Sequence, residues 1–298
     1  MEKWMYVLPN KICGLEENNN QIKITTQKES IVLNVSYATE LMSEILSVAN
    51  GRTISELYPI FENKVNENGL VKIINFLSEN NVIYVSDRKL KEGEEKFIKY
   101  LSQYTISLNK YLERMNKIKF GIIGQEETTN LIIELLEGFA LNYELITILD
   151  KADLKEVDIV LSAYDSTEIK KLFHDAEIIE ENEGLLWMFV LFYEDSFLLS
   201  PLLNKENYTD FNSFKEQINI ENITDFGISR NELVQRMGVS EMLMDVLNSI
   251  MKLNIQTSYN KTIIYDSIEK TLMLERIYYF PKNYSDERLK VQRWDGEV

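Results

Sequence analysis

The chain has 298 residues, a net charge of −16 at pH 7, one cysteine and one histidine. The single cysteine excludes an internal disulfide and a multi-cysteine zinc site, and Ser-His-Asp or Cys-His catalysis would depend on His174 alone. The acidic charge argues against nonspecific binding of nucleic acid. No run of about 20 apolar residues predicts a membrane span, and the N-terminus lacks a signal pattern, so we expect a cytoplasmic protein.

The first segment opens with short strands. Apolar and β-branched residues predict strands at 4–8, 21–25 and 30–35, and the EENNN run at 16–20 predicts a turn. A further strand is predicted at 82–85. The small sheet formed by these strands is predicted to be antiparallel.

Three helices are predicted between the third of these strands and the last. The second helix opens with a capping box from Thr53 to Glu56. The third helix carries two apolar stripes side by side, one of Leu70, Ile74 and Leu77 and the other of Ile73 and Phe76. One stripe packs on its own core, whereas the other needs a cover, either the next domain or a bound peptide. A small sheet with three helices is a winged-helix arrangement.

The distribution of charge divides the chain. Counting Lys and Arg against Asp and Glu, residues 1–90 carry −2, residues 91–119 carry +3 and residues 120–298 carry −17. Residues 92–116 keep apolar residues at helical spacing. We therefore predict a domain at 1–90, a connecting helix at 91–116 and a second domain at 117–298.

The second domain begins with the order strand, glycine turn, helix, strand, acidic residue, which is typical of a dinucleotide-type α/β fold. The predicted elements are strands at 117–124, 143–149 and 157–163 and a helix at 127–137. The later two strands are followed by Asp150 and Asp165. Asp150 stands where a ribose-binding acid would lie, and we interpret it as a strand cap.

The glycine turn departs from a phosphate-binding turn, which needs glycines at three fixed positions. The first is Gly124, but the second and third are Glu126 and Thr129. Glu126 and Glu127 place carboxylates where a phosphate would approach the helix, and carboxylates repel an anionic ligand. We interpret Gly121 and Gly124 as a vestigial nucleotide turn and expect no bound cofactor.

Several stretches resemble known families. Residues 45–85 (ILSVANGRTISELYPIFENKVNENGLVKIINFLSENNVIYV) resemble the peptide-binding winged helix called the RiPP recognition element. KIKFGIIGQEE at 117–127, VDIVLSAYDSTEIKKLF at 157–173 and GLLWMFVLFYEDSFLLSPLL at 184–203 resemble the ThiF-like, ubiquitin-activating fold. NKTIIYDSIEKTLMLERIYYFP at 260–281 is similar to the closing hairpin of that fold.

The combination resembles the leader-binding partner of YcaO cyclodehydratases, which make azolines and azoles from Cys, Ser and Thr of a ribosomal peptide. The resemblance implies a bacterial bacteriocin system. Two departures point to the non-catalytic, thiopeptide-type members. The glycine turn is not intact, and the segments at 204–211 and 282–287 lack the CxxC pairs that hold structural zinc in many relatives. We therefore expect no metal, no catalytic residue and no enzymatic activity, with ATP used by the partner enzyme.

The resemblance also implies a binding site and further partners. The leader peptide would add as a strand beside residues 30–35 and lie against the third helix. For each residue of this site, plain core packing remains the alternative. The predicted leader-binding residues are Ile31, Val32, Leu33, Asn34, Val35, Leu70, Ile73, Phe76 and Leu77. The expected partners are the precursor leader, a YcaO-type cyclodehydratase, a flavin-dependent azoline dehydrogenase and a second copy of the chain, with no nucleic acid and no membrane.

Two other functions remain open at this point. An ATP-dependent adenylating enzyme would bind ATP at the Gly124 turn, against which Glu126 argues. A transcription regulator would use residues 228–252, which read as a helix-turn-helix with its turn at Gly238. The second helix of that motif is acidic, with Glu241 and Asp245, whereas groove readers need basic and amide side chains.

Overall fold

Strands and helices alternate throughout the described part of the chain. The computed structural model describes residues 5–9, 14–18, 21–25, 30–34, 39–80, 82–104, 108–146, 153–182, 184–204, 209–218, 220, 231–251, 260–266 and 268–277. The chain forms two compact units. The first comprises residues 1–119, 133–143 and 251–255, and the second comprises residues 120–132, 144–250 and 256–298.

The first unit contains two three-stranded antiparallel sheets and five complete helices among the described residues. Its elements are β1 (Tyr6–Pro9), β2 (Gly14–Asn18), β3 (Gln21–Thr25), β4 (Ser30–Asn34), α1 (Thr39–Val48), β5 (Arg52–Thr53), α2 (Ile54–Phe61), α3 (Glu67–Glu79), β6 (Ile83–Ser86), α4 (Glu92–Leu101) and α5 (Leu108–Met115). One sheet has the order β5-β1-β6 and the other β2-β3-β4. The predicted winged-helix arrangement with three helices, α1 to α3, is confirmed, but its strands form two small sheets and not the single sheet that was predicted.

Local sequence signals fix the ends of these helices. The side chain of Thr53 accepts a hydrogen bond from the backbone N–H of Glu56, and the Glu56 carboxylate accepts one from the N–H of Thr53, so the predicted capping box is present. Asn66 caps α3 by accepting from the N–H of Gly69 at 2.8 Å. The apolar faces of α1, α2 and α3 then close one core with strands from both sheets.

Part of the turn predicted at 16–20 lies in a strand. Strand β2 runs to Asn18 and pairs antiparallel with β3, so residues 16–18 belong to a strand and not to the predicted turn. The backbone pairing with β3 overrides the turn preference of the acidic and amide residues here. Residues 19–20 lie outside the described residues.

The predicted connecting helix is divided into α4 and α5. After Leu101 the N–H groups of Gln103 and Tyr104 bond to carbonyls three residues back, which tightens the last turn and ends α4. The rings of Phe97 and Tyr100 both pack against Phe139, with centroids 5.8 Å away in each pair. The two helices are therefore packed parts of the first unit and not a free linker.

A seven-stranded mixed sheet dominates the rest of the chain. The elements are β7 (Lys119–Gly124), α6 (Glu126–Gly138), β8 (Asn142–Leu145), β9 (Ile159–Asp165), α7 (Ile169–Glu180), β10 (Leu186–Tyr193), β11 (Ser196–Leu199), α8 (Phe211–Ile218), α9 (Glu232–Met251), β12 (Lys261–Asp266) and β13 (Thr271–Arg276). The strand order is β13-β12-β11-β10-β9-β7-β8. Strands β7, β9 and β10 are parallel, whereas β10 to β13 follow one another antiparallel.

The central strands are continuous apolar runs because both of their faces are covered. Every residue of β9 is buried, as expected for a parallel strand between helical layers. One face packs against α7 and α8, where Trp187, Phe189 and Phe211 form an aromatic cluster with centroids 5.0 to 6.1 Å apart. The predicted α/β class with a dinucleotide-type order is confirmed.

The helix-turn-helix prediction is wrong. Helix α9 continues without interruption through Gly238, the residue predicted to make the turn. A β-carbon on Gly238 would lie 2.8 Å from a ring carbon of Phe192 and 3.0 Å from a methyl of Val190. The glycine therefore allows α9 to lie close against β10. Residues 228–230 of the predicted motif lie outside the described residues.

The hairpin predicted near the C-terminal end is confirmed. Strands β12 and β13 pair antiparallel from Lys261 opposite Arg276 to Asp266 opposite Thr271. The Asp266 carboxylate accepts hydrogen bonds from the N–H groups of Ile268 and Glu269, which closes the turn. Among the described residues, no helix has the length and apolar character needed to cross a membrane.

Candidate functional site

Strand β4 is an edge strand of the sheet β2-β3-β4. Within the described residues it pairs only with β3. Leu33 is buried and Ile31 half-buried on the core side, whereas Val32 is 51% exposed and Asn34 is exposed on the other side. These are the two faces that period-two alternation predicts. Val35, the fifth predicted binding residue here, lies outside the described residues.

Hydrogen bonds on the outer face fix the position of β4. Gln21 donates from Nε2 to Oδ1 of Asn34 at 2.8 Å, and these two residues are also partners in the register. Lys23 is opposite Val32 and forms an ion pair with Glu16 at 3.2 Å. Because core contacts hold one face and the hydrogen bond from Gln21 to Asn34 holds the other, β4 presents its outer backbone in a defined register.

The two predicted apolar stripes of helix α3 differ in how much of their side-chain surface is exposed. Leu70 and Leu77 have no exposed surface and lie in the core of the first unit, as does Ile74. Ile73 and Phe76 are half-buried against that same core, as is Ile31 of β4. Leu70 and Leu77 therefore support the helix from beneath, and the surface available to a ligand comes from Ile73 and Phe76.

Two glycines of β7, Gly121 and Gly124, are required by the packing of the strand. A β-carbon on Gly124 would lie 2.7 Å from the backbone oxygen of Ala163. A β-carbon on Gly121 would lie 2.8 Å from Ile146 and 2.9 Å from Val157. Side chains at either position would push β7 away from its neighbours. The presence of these two glycines is thus explained without a nucleotide.

The other two glycine positions of a phosphate-binding turn carry side chains. Glu126 begins α6, and Glu127 lies in its first turn. Thr129 is buried, and its hydroxyl donates to the backbone oxygen of Glu126 at 3.1 Å. The positive end of the helix is already close to carboxylates, and the third position is filled by a bonded side chain.

A cavity of about 400 Å³ lies at this edge of the sheet. It is bounded by the carboxyl ends of β7 and β8, the first turn of α6, and the side chains of Lys171 and Asp175. Lys171 is the one cation among the described lining residues, and it forms an ion pair with Glu168 at 3.6 Å. Among the described residues that line the cavity, a triphosphate would meet the carboxylates of Glu126 and Asp175 and the single cation Lys171, which already has an acidic partner.

Asp165, at the end of β9, is a buried acid. It is 6% exposed, and its Oδ1 has no hydrogen-bond partner among the described residues. Burial, followed by the nearby carboxylates of Glu168 and Glu127, raises the pKa of Asp165 to about 6. No group of three or more His, Cys, Asp or Glu in the described ranges is placed to hold a metal ion.

A second buried acid lies on α7. Tyr164 donates its hydroxyl to Oδ2 of Asp175 at 2.9 Å, and both residues are buried. Burial raises the pKa of Asp175, and it raises the pKa of Tyr164 well above its ordinary value together with the adjacent Asp175 charge. This hydrogen bond between the Tyr164 hydroxyl and the Asp175 carboxylate links β9 to α7 in the core. His174, one position earlier, is exposed.

Comparison with known proteins gives a likeness of fold. No protein-family model matches the chain, and no curated protein matches its sequence. A heterocyclase in complex with substrate and cofactor has a TM-score of 0.61 and 11% identity, covering 93% of this chain and 39% of its own. The heterocyclase TruD has a TM-score of 0.58 and 11% identity, and the match covers 93% of this chain and 42% of TruD. E. coli MccB with selenomethionine-labelled MccA has a TM-score of 0.53 and 13% identity, and the match covers 93% of this chain and 98% of MccB.

These similarities establish a shared fold. The chain spans less than half of the two heterocyclase chains and nearly all of MccB. The similarity to MccB covers the N-terminal and the ThiF-like parts together, because 93% of this chain is included. The predicted succession of a winged helix and a ThiF-like α/β domain is therefore confirmed as a fold.

Sequence reasoning missed Lys171 and Asp175 as lining residues. Both lie in or next to the stretch that carried the ThiF-like resemblance, and only the packing of α7 on the sheet brings them to the Gly124 turn. A polar residue at a core position of an amphipathic helix was the available signal, because Asp175 falls on the same helix face as Leu172 and Ile179.

Proposed function

We propose that the protein recognises the leader of a ribosomal precursor peptide and presents the peptide to a partner enzyme. The observation that carries this proposal is the edge strand β4, whose register is fixed by Gln21 and by the core while its outer side has no strand partner among the described residues. An edge strand of this kind binds an extended peptide through its backbone groups.

The arrangement around β4 predicts how the leader would be read. A peptide strand beside β4 alternates its side chains between two faces. On the inner face they would lie next to Ile31, which packs against the same core as the half-buried Ile73 and Phe76. On the outer face they would lie next to Val32. The leader should therefore carry apolar residues at every second position of its bound segment.

The names of the structural neighbours support a role in peptide modification. One neighbour is a heterocyclase with bound substrate, and another is a microcin C7 biosynthetic enzyme with bound peptide MccA. This chain spans only 39% of the first. We infer that the ring-forming chemistry belongs to a separate YcaO-type cyclodehydratase, aided by a flavin-dependent azoline dehydrogenase, in a thiopeptide-type bacteriocin pathway. Leader binding then raises the local concentration of the core peptide at that enzyme.

The same proposal assigns no catalysis to this chain. The Gly124 turn has carboxylates at Glu126 and Glu127, and Lys171 is the one cation among the described residues of the adjacent cavity. The two carboxylates repel a triphosphate, and Lys171 is already paired with Glu168, so we infer that ATP is consumed by the partner. The alternative is an adenylating enzyme, favoured by the MccB-like fold because E. coli MccB has been solved with ATP.

Binding of a labelled leader tests the proposal. A fluorescein-labelled synthetic leader, taken from a short precursor gene beside this one, is titrated with the full chain while fluorescence anisotropy is recorded without ATP or zinc. We expect a dissociation constant of about 1 μM or lower. Because Val32 is 51% exposed, Val32→Glu should leave the fold intact and weaken binding at least tenfold.

A matched variant and a modified peptide locate the site. Ile60→Glu changes a side chain of α2 that is 47% exposed in the same unit, and it should leave binding unchanged. Leaders N-methylated at single positions should lose binding at alternate residues only, because strand addition uses every second backbone N–H. Absence of leader binding, together with ATP-pyrophosphate exchange by the same protein, would overturn the proposal in favour of the adenylating enzyme.

A further inference from the structure

The cavity beside the Gly124 turn has the size and the lining of a site for a small molecule. Its volume of about 400 Å³ lies within the range of roughly 300–1,000 Å³ that is typical of ligand sites. Part of the lining is apolar, formed by Ile123, Leu145 and Ile146, and Leu145 is 46% exposed. A ligand in this cavity would therefore cover apolar surface that the described residues leave open.

The carboxyl group of Asp175 is fixed in the wall of this cavity with one oxygen engaged. Asp175 is 3% exposed and lines the cavity, and Tyr164 donates to its Oδ2 at 2.9 Å. Within the described ranges, Oδ1 has no hydrogen-bond partner. An ionised carboxylate accepts hydrogen bonds on both oxygens, and burial makes its charge costly unless a donor or cation is present. Oδ1 is thus an acceptor available to a ligand in the cavity.

The charge around the cavity is suited to a cation. Glu126 supplies a second carboxylate from α6, whereas Lys171, the one cation of the described lining, is already paired with Glu168. The edge of the sheet adds further acid, because Asp165 ends β9 and lies close enough to Glu168 and Glu127 for their charges to act on it. A recess lined by acids attracts and concentrates cations.

We propose that this cavity binds a small organic cation, with a guanidinium or primary ammonium group between Glu126 and Asp175 and an apolar stem against Leu145 and Ile146. A guanidinium suits the site because its donors can reach two carboxylates at once. The group can belong to a free small molecule or to an arginine or lysine side chain of a peptide. The site is separate from β4, so binding here is independent of leader recognition.

Ligand-observed saturation-transfer NMR with n-pentylguanidine tests the site on the full chain. We expect a dissociation constant of about 1 mM or lower for a ligand of this size. The isosteric n-pentylurea has the same shape without the charge, and methylguanidine has the charge without the stem. Each should bind at least tenfold more weakly than n-pentylguanidine, because each lacks one of the two parts that the cavity recognises.

Two further probes distinguish the source of the cation. Nα-acetylarginine amide carries the guanidinium on a short piece of peptide, and agmatine carries it on a free diamine. If the arginine derivative binds as tightly as n-pentylguanidine, the cavity accepts a side chain that enters from a peptide. If only agmatine and n-pentylguanidine bind, the ligand is a free small molecule. Both results support a cation site.

Charge-changing variants locate the cation. Glu126→Gln changes an exposed side chain and Asp175→Asn keeps an oxygen for the Tyr164 hydroxyl, and each should weaken binding of n-pentylguanidine at least fivefold. Lys171→Gln should strengthen binding at least threefold, because it removes the competing cation. Glu177→Gln is the matched control, since this exposed acid of α7 does not line the cavity. It should leave the affinity unchanged, and circular dichroism should show all four variants folded.

Three results would overturn the proposal. The first is the absence of n-pentylguanidine binding at a concentration of about 10 mM, tenfold above the weakest dissociation constant expected. The second is equal binding of n-pentylurea, which would mean that the cavity recognises the stem alone. The third is loss of ligand binding in Lys171→Gln with no change in Glu126→Gln, which would make the cavity a site for an anion. Leader binding measured in the same variants should be unaffected in every case.

Discussion

A β-carbon at Gly124 would stand 2.7 Å from the backbone oxygen of Ala163, the residue paired with Gly124 in the parallel register of β7 and β9. No real β-carbon occupies so short a contact with backbone. Gly124 also has a φ of +156°, within the range that side chains rarely adopt. The feature that most suggests a nucleotide turn is thus required by the packing of two strands.

Replacement of Gly124 should therefore destabilise the protein whether or not any ligand binds. We expect Gly124→Ala to lower the free energy of unfolding by about 1–3 kcal/mol, because the strands must separate or the turn must shift. Urea denaturation followed by circular dichroism measures this. Gly138→Ala is the matched control in α6, where an added β-carbon meets no atom within 4 Å. It should be neutral or stabilise by up to about 1 kcal/mol. Equal effects of the two variants would contradict the packing role.

Asp165 makes stability depend on pH in a direction opposite to that of a salt-bridged acid. Its pKa is raised from 3.8 to about 6 by burial and by Glu168 and Glu127. The folded chain therefore binds a proton more tightly than the unfolded chain, and the free energy of unfolding falls as pH rises from about 4 to about 6. Above about pH 7 this contribution is constant.

In the Asp165→Asn variant, the free energy of unfolding should not show this decrease between about pH 4 and about pH 6. We expect its free energy of unfolding, relative to the unchanged protein, to rise by roughly 2–3 kcal/mol between pH 4 and pH 7. Urea denaturation at half-unit pH steps gives the difference. Glu168→Gln removes the second cause of the raised pKa and should shift the transition to lower pH. Parallel curves for Asp165→Asn and the unchanged protein would show that Asp165 titrates normally.

Sequence patterns predicted elements where local and tertiary preferences agree. The capping box at Thr53, the alternating faces of β4 and the buried run of β9 are properties of adjacent residues, and the structure contains each of them. The predictions failed where tertiary contact decides. Gly238 was predicted to form a turn because no sequence rule reveals that Phe192 packs against it. The connecting segment was predicted to be one continuous helix because apolar residues keep helical spacing past the turn after Leu101.

The candidate leader site illustrates the same division. Periodicity alone groups Leu70, Leu77, Ile73 and Phe76 as apolar positions of α3, but it does not give their exposure. Burial separates the two stripes, since Leu70 and Leu77 have no exposed surface. The free edge of β4 depends on which strands pair, and strand order is a property of the whole sheet.

Helix α9 gives a prediction that opposes helix propensity. Alanine is a better helix former than glycine by about 1 kcal/mol, so Gly238→Ala in an exposed helix would stabilise the protein. Here the added carbon would lie 2.8 Å from Phe192 and 3.0 Å from Val190. We expect a net loss of about 1–2 kcal/mol in urea denaturation, because overpacking outweighs propensity. A gain in stability would show that α9 does not lie against β10 as closely as the structure has it.

The two stripes of α3 should separate stability from leader binding. Leu77 is fully buried, so Leu77→Ala should cost about 2–5 kcal/mol of stability through the cavity it leaves. Ile73 is half-buried, so Ile73→Ala should cost about 1 kcal/mol. At a temperature where both variants are folded, Ile73→Ala should weaken leader binding at least tenfold in the anisotropy titration, whereas Leu77→Ala should change it less than threefold. If affinity instead fell in proportion to lost stability, the two stripes would act as one core, and the apolar surface beside β4 would not be a binding surface.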